Sequence, residues 1–161
     1  MSLFKGGVLG LVLLSIMTAS TKVALADAAK DCEEKNGDEA ISACTAAIKR
    51  NPKNAVLFYN RGIAFKSKGD LDRAIADYTE VIRLDPKNAC VPCTFFNRGN
   101  IYNAKGDLDR AIADYSEAIK LDPKFAGAYY NRGNALKSKG DYEHAIADNK
   151  EAIRLDPKLQ R

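Results

Sequence analysis

Residues Phe96–Lys124 read FNRGNIYNAKGDLDRAIADYSEAIKLDPK, and this stretch occurs with small changes three times in a chain of 161 residues. Its relatives begin at Tyr59 and Tyr130, and all three copies end in Leu-Asp-Pro-Lys. With a weaker fourth ending, Arg-Asn-Pro-Lys, the closing prolines are spaced 34, 37 and 34 residues apart: Pro52, Pro86, Pro123 and Pro157. A repeat of this length indicates a small unit that buries its apolar face only by stacking on copies of itself.

Each copy is predicted to form two helices joined by a tight turn. The first helix ends near Lys105, where Gly106 adopts a left-handed conformation at little cost. Asp107 then caps the amides that open the second helix, whose apolar residues recur at helical spacing up to the Asp-Pro dipeptide. So short a connection makes the two helices antiparallel neighbours. Small residues are expected to face each other where they touch, pairing Gly62, Gly99 and Gly133 with Ala74, Ala111 and Ala145.

These features resemble the tetratricopeptide repeat family. One copy carries the family's pattern of aromatic, small and closing residues at Phe95, Gly99, Tyr102, Ala111, Tyr115, Ala118 and Pro123. The resemblance implies an all-α fold, a right-handed α-solenoid of about three and a half helix-turn-helix repeats. It places three repeats in residues 55–161, at 55–88, 92–125 and 126–159, and a partial N-terminal hairpin in residues 27–54.

Two departures from the family pattern carry expectations of their own. Asn149 replaces the aromatic residue of the other copies, which suggests the polar outer face of a capping repeat. Three arginines occupy a position that the family usually gives to leucine, and they are expected to pair with neighbouring aspartates: Arg61, Arg98 and Arg132.

The N-terminus predicts export. Lys5 precedes an uncharged stretch from Gly6 to Thr21, and Ala24-Leu25-Ala26 offers a small-x-small cleavage site. Residues 1–26 are therefore interpreted as a signal peptide, with a periplasmic or secreted location, because the apolar run is short for a membrane span. An uncleaved N-terminal anchor is the alternative.

Four cysteines in an exported chain favour disulfides. The preferred pairing joins Cys32 to Cys44 within the partial hairpin, and Cys90 to Cys93. The Cys-Val-Pro-Cys motif of the second pair also suggests a thiol–disulfide redox activity. In redox enzymes of that kind a β-strand precedes the motif, and no strand is predicted here.

Other chemistry finds little support in the sequence. A net charge of +4, lowered further by loss of a leader containing two lysines, gives no reason to expect nucleic acid or, beyond export, a membrane. The single histidine, His144, is expected to be exposed and unpartnered, and no phosphate loop or calcium loop is present. We therefore expect no enzyme activity, no metal site and no cofactor.

The resemblance implies that the first helices line a concave groove. The residues that it places there are Tyr59, Phe96 and Tyr130; Asn60, Asn97 and Asn131; Ile63, Asn100 and Asn134; and Lys66 and Lys137. The asparagines either form hydrogen bonds with the backbone of a bound peptide or form hydrogen bonds only between repeats.

The preferred function is a scaffold that binds a peptide or protein segment in this groove. The alternatives are the redox activity of Cys90 and Cys93 and a structural subunit of an envelope complex. A homo-oligomer formed near Asn149 is also possible.

Overall fold

The structure, a computed structural model, describes residues 30–87 and 91–160. In these ranges all the regular secondary structure is helical. The predicted signal peptide lies outside the described residues. Residues 30–34 belong to helix α1, and they are followed by α2 (Gly37–Arg50), α3 (Ala55–Ser67), α4 (Leu71–Leu84), α5 (Val91–Ala104), α6 (Leu108–Leu121), α7 (Ala126–Ser138) and α8 (Tyr142–Leu155). A 3-10 turn at Pro157–Gln160 packs on α8.

The helices pack as consecutive antiparallel hairpins, α3 with α4, α5 with α6, and α7 with α8. The second helix of each hairpin then packs against the first helix of the next one, so one apolar interior runs along the stack. The predicted all-α stack of helix-turn-helix repeats is confirmed.

The turns within the hairpins follow the sequence prediction. Gly69, Gly106 and Gly140 have positive φ angles of 77°, 78° and 87°, a conformation that side chains with a Cβ rarely adopt. The next residue caps the second helix, since Asp107 accepts a hydrogen bond of 3.1 Å from the backbone N–H of Arg110. The same cap recurs at Asp70 and Asp141.

The predicted contact of glycine with alanine is present in the last hairpin, where a Cβ on Gly133 would lie 3.2 Å from the backbone carbonyl oxygen of Ala145, but the atoms nearest to the other two glycines belong to large rings. A Cβ on Gly62 would lie 2.8 Å from Cε1 of Tyr78, and one on Gly99 would lie 2.9 Å from Cε1 of Tyr115. Both tyrosines are fully buried. Gly62 and Gly99 are therefore needed because a large ring from the second helix lies close against the backbone of the first.

Neighbouring hairpins are also joined by a row of ion pairs. The lysine at the end of each first helix contacts an aspartate in the first turn of the preceding second helix: Lys68 with Asp38, Lys105 with Asp72, and Lys139 with Asp109. All of these side chains are exposed, so each pair contributes little on its own. None of the helices in the described ranges combines the length and apolar composition that a membrane crossing requires.

Candidate functional site

The predicted groove residues lie on the first helices α3, α5 and α7, and we call their shared surface the groove face. Contacts across the repeats bring several of them together. Asn97 donates a hydrogen bond of 3.2 Å to the hydroxyl of Tyr59 and accepts one of 3.4 Å from the ammonium group of Lys66. Asn131 donates a hydrogen bond of 2.7 Å to Oδ1 of Asn100. The three helices therefore present one continuous polar row.

These contacts bear on the two interpretations of the asparagines. Asn97, Asn100 and Asn131 form hydrogen bonds between repeats. Asn100 also accepts a hydrogen bond of 2.8 Å from the hydroxyl of Tyr115. Part of their hydrogen-bonding capacity is therefore already used within the protein. Asn134 is exposed, and Asn60 lies beside a cavity of about 180 Å³ between α3 and residues 32–40.

The aromatic residues of the groove face differ in exposure, and their neighbours explain why. The ring of Tyr59 packs against Tyr78 and the ring of Phe96 packs against Tyr115, each with centroids 5.9 Å apart. Tyr130 has Asn149 at the corresponding position of its second helix, and its ring is exposed. The loss of one buried aromatic thus leaves an apolar ring on the surface.

Apolar residues are exposed at the other end of the groove face as well. Ile63 and Val56 on α3 are both exposed. Val56 was not predicted, although its spacing of three, four and seven residues from Tyr59, Asn60 and Ile63 places it on the same side of the helix. The helical period alone was sufficient to find it.

The helices of the groove face carry basic side chains but no acidic ones. Helices α3, α5 and α7 contain no aspartate or glutamate, whereas α2, α4, α6 and α8 each contain two or three. Lys66 and Lys137 are exposed on the same three helices. Since nearby charges of one sign attract the opposite sign, this surface favours anionic groups.

The recurring arginines pair with aspartates, as predicted. Arg98 donates two hydrogen bonds of 2.8 Å to Asp114 on its own hairpin, and a third of 2.8 Å to the hydroxyl of Thr79 on the preceding one. Arg61 repeats the arrangement with Asp77 and Thr45, and Arg132 repeats it with Asp148 and Ser116. The hydrogen bond to Asp148 raises the pKa of Arg132, which keeps its guanidinium charged. The arginines therefore hold the stack together and are not part of the groove face.

The last hairpin does not have the polar cap that Asn149 suggested. Oδ1 of Asn149 is buried within the hairpin, has no hydrogen-bond partner in the described part of the chain, and would lie 2.7 Å from a Cβ on Gly133. The outer side of α8 instead exposes Tyr142 and Ile146. Asn149 is therefore not part of a polar outer face, because its side chain points toward its own first helix.

The cysteines divide into two cases. Cys32 and Cys44 form the predicted disulfide, with an S–S distance of 2.06 Å, and pack with Ala47 and Leu57. Cys90 lies outside the described residues, so its pairing with Cys93 stays a prediction. Cys93 is partly exposed on α5.

His144 is exposed, as expected, but it has a partner. Its Nδ1 lies 2.9 Å from the carboxylate of Asp141, and this hydrogen bond raises the pKa of His144 above its ordinary value. The prediction of an unpartnered histidine is wrong because residues three apart on a helix are neighbours. Arg73 and Arg110 make the same contact in the other repeats, so the pair belongs to the repeat pattern.

Comparison with known families agrees with this geometry. The "Tetratricopeptide repeat" profile matches residues 55–88 and 126–159, and a "TPR repeat" profile matches residues 99–140. The chain belongs to the tetratricopeptide repeat family. The family implies protein–protein interaction as the general role of these repeats.

Solved structures of tetratricopeptide proteins share the fold. The crystal structure of MamA protein superposes with a TM-score of 0.74 at 22% identity, covering 91% of this chain and 79% of that one. The first repeat domain of Spaghetti (RPAP3), bound to the HSP90 peptide SRMEEVD, has a TM-score of 0.61 at 28% identity and covers 65% of this chain and 81% of that one.

Curated relatives match over a shorter stretch. The mouse (Mus musculus) FK506-binding protein-like is 39% identical over 49 residues, which are 30% of this chain and 14% of that protein. The rat (Rattus norvegicus) counterpart is 41% identical over a stretch of the same length. The chain therefore matches only a small part of these relatives.

Proposed function

We propose that this protein binds a segment of another protein on the groove face, and that the preferred segment carries both acidic and apolar side chains. The observation that carries the proposal is the absence of any carboxylate from α3, α5 and α7, which together expose two lysines and several apolar side chains. Lys66 and Lys137 would pair with acidic residues of the ligand. Val56, Ile63 and Tyr130 would contact its apolar residues.

A solved relative supports the chemistry of this ligand. The RPAP3 domain at 28% identity is bound to SRMEEVD, a peptide with three acidic residues. The proposal rests on the positions of Lys66 and Lys137 in this sequence.

The asparagines have a supporting role in the proposal. Because Asn97 and Asn131 already bridge the repeats, they hold the first helices in register while the lysines and apolar residues contact the ligand. Asn134, which is exposed, is placed to hydrogen-bond the backbone of a bound segment.

The test uses a random peptide library selected on the immobilised chain. We expect the recovered peptides to be enriched in aspartate and glutamate interleaved with apolar residues. In fluorescence anisotropy, the double variant Lys66→Glu/Lys137→Glu should bind these peptides about tenfold more weakly or worse, equivalent to about 1.4 kcal/mol. Added salt should weaken binding to the unmodified chain.

The matched control is Lys49→Glu/Lys158→Glu, which reverses two exposed lysines outside the groove face. This control should bind the selected peptides as well as the unmodified chain does. Recovery of peptides without acidic enrichment, or equal binding by both double variants, would overturn the charge preference. Failure to recover any peptide would contradict the binding role itself.

We further propose that the protein works without catalysis, in an oxidising compartment that it reaches by export. The Cys32–Cys44 disulfide supports this location, because disulfides persist in exported proteins and are rare in the reducing cytosol. Fractionation of cells that make the full chain, followed by mass spectrometry of its N-terminus, tests the proposal. A protein that stays in the cytosol with residues 1–26 attached would overturn it.

A further inference from the structure

The outer side of α8 carries an apolar surface that the fold leaves uncovered. Tyr142 and Ile146 expose 63% and 56% of their surface. The corresponding residues of α6, Leu108 and Ile112, are partly buried against a cluster that includes Ala135 of the next repeat. After α8 no further hairpin follows within residues 91–160, and the closing 3-10 turn leaves both side chains accessible.

Another repeat of the same kind does not suit this surface. In the inner repeats a hydroxyl on the second helix accepts a hydrogen bond from the arginine of the next repeat, as Ser116 does from Arg132. The corresponding residue of α8 is Lys150, which is exposed. A lysine facing an incoming arginine would repel it, so the surface disfavours the docking that continues the stack.

The charges beside the apolar residues are self-complementary. Glu143, Ile146 and Lys150 are separated by three and four residues, so they form one stripe along α8, with Tyr142 beside it. If two α8 helices cross antiparallel about a point near Ile146 and Ala147, each Glu143 faces Lys150 of the other copy. A parallel pair would instead place like charges together.

We propose that the protein forms a two-fold symmetric dimer in which α8 packs antiparallel against α8 of a second copy. Two-fold interfaces bring the same patch of both subunits together, and this stripe meets that condition with one acidic and one basic end. Tyr142 and Ile146 supply the apolar centre, and the two Glu143–Lys150 pairs fix the orientation. With 14 residues, α8 is about 21 Å long, so the interface is small and the dimer is weak.

The first experiment measures the mass of the unmodified chain by sedimentation equilibrium across concentrations from about 10 µM to about 1 mM, the range in which a small interface associates. We expect reversible dimerisation in this range. Ile146→Glu should abolish it. Leu121→Glu, which introduces the same charge at an exposed apolar residue of α6 outside the groove face, should leave it unchanged.

The second experiment tests the pairing of charges. Glu143→Lys alone and Lys150→Glu alone each turn two attractions into repulsions and should weaken the dimer roughly five- to tenfold. A mixture of the two single variants should associate again, because every contact in the mixed dimer joins opposite charges. The double variant Glu143→Lys/Lys150→Glu should restore the self-association of the unmodified chain.

Three results would overturn the proposal. They are a monomer throughout the concentration range, self-association that survives Ile146→Glu, and single charge variants that do not recover association when mixed. Circular dichroism melts of all variants exclude unfolding as the cause, since all the altered side chains are exposed and should leave the melting temperature nearly unchanged. None of these results depends on whether the groove face binds a peptide.

Discussion

Arg98 and Asp114 lie on opposite helices of one hairpin and are joined by two hydrogen bonds of 2.8 Å. Only 16% of the arginine side chain and 7% of the aspartate side chain are exposed. The third hydrogen bond of the guanidinium, to Thr79, crosses to the preceding hairpin. One side chain therefore connects three helices, and the same contact recurs at each repeat boundary in the described part of the chain.

We predict that Asp114→Ala destabilises the protein by about 3 kcal/mol, because it leaves the charge of Arg98 nearly buried without its partner. Urea denaturation followed by circular dichroism measures the change. Replacing both residues by leucine or methionine should cost clearly less than the single change, since no unpaired charge remains. A double variant as unstable as Asp114→Ala would contradict this expectation, because it would show that the ion pair contributes more to the free energy of unfolding than two apolar side chains do.

The exposed pair of Arg83 and Glu80 provides the matched control. Nε of Arg83 donates a hydrogen bond of 2.8 Å to Oε2 of Glu80, as long as those between Arg98 and Asp114, but the side chain of Arg83 is largely exposed to solvent. Glu80→Ala should therefore change the free energy of unfolding by less than about 1 kcal/mol.

We predict that Gly99→Ala destabilises the protein by about 1–3 kcal/mol, because its Cβ would lie 2.9 Å from the buried ring of Tyr115. Gly127→Ala is the control, since the nearest atom to its Cβ is 3.5 Å away, which is an ordinary contact. At that position the higher helix propensity of alanine should stabilise the protein by up to about 1 kcal/mol. Thermal melts that rank the two variants in the opposite order would contradict this account.

The sequence predicted the capping aspartates and the partners of the arginines because these features depend on spacing within one repeat. Arg98 and Asp114 are 16 residues apart, and so are the other two pairs, so the periodic pattern brings them together in the same way each time. Val56 also follows from helical spacing alone.

The prediction failed where the outcome depends on how closely helices approach one another. Ala111 and Tyr115 lie one turn apart on the same side of α6, so the apolar stripe does not decide which of them meets Gly99. The axial offset between α5 and α6 decides it. Asn149 was expected on the outer face, whereas its side chain lies against Gly133, at the position that Tyr78 and Tyr115 occupy in the other repeats.

We predict that breaking the disulfide between Cys32 and Cys44 destabilises the N-terminal hairpin by about 3 kcal/mol in the chain-entropy model. Because stability in repeat proteins is a sum of local terms, the loss should be concentrated in α1 and α2. Hydrogen exchange of a Cys32→Ser/Cys44→Ser variant should show faster exchange in Gly37–Arg50 and nearly unchanged exchange in Tyr142–Leu155. Uniform acceleration over all helices would contradict a local role.

We predict opposite outcomes for two tyrosine-to-phenylalanine changes at corresponding positions. Tyr115 donates a hydrogen bond of 2.8 Å to Asn100, so Tyr115→Phe should cost about 1 kcal/mol in urea denaturation. The hydroxyl of Tyr78 is buried with no partner among the described residues, because Ile63 stands where Asn100 stands in the next repeat. Tyr78→Phe should therefore leave stability unchanged or raise it.

A double-mutant cycle sharpens this comparison. Ile63→Asn places an amide oxygen where the hydroxyl of Tyr78 can donate a hydrogen bond to it. The change in the free energy of unfolding caused by Ile63→Asn should therefore be more favourable when Tyr78 is present than in the Tyr78→Phe variant. Equal effects of Ile63→Asn in the two backgrounds would show that the missing acceptor is not what leaves the Tyr78 hydroxyl unpaired.

The last prediction concerns alkaline pH. Burial raises the pKa of Tyr115 to about 12 and raises the pKa of Tyr78 well above its ordinary value of 10.0. Because the folded state holds these phenols protonated, their contribution to stability is complete below pH 10 and is lost as the pH rises through about 12. The ultraviolet absorbance of tyrosinate should show Tyr115 and Tyr78 ionising above the ordinary tyrosine pKa of 10.0, together with loss of helical circular dichroism. Tyr115→Phe should remove one of the two late ionisations, whereas ionisation of all tyrosines in one early step with the helices intact would contradict the burial of these rings.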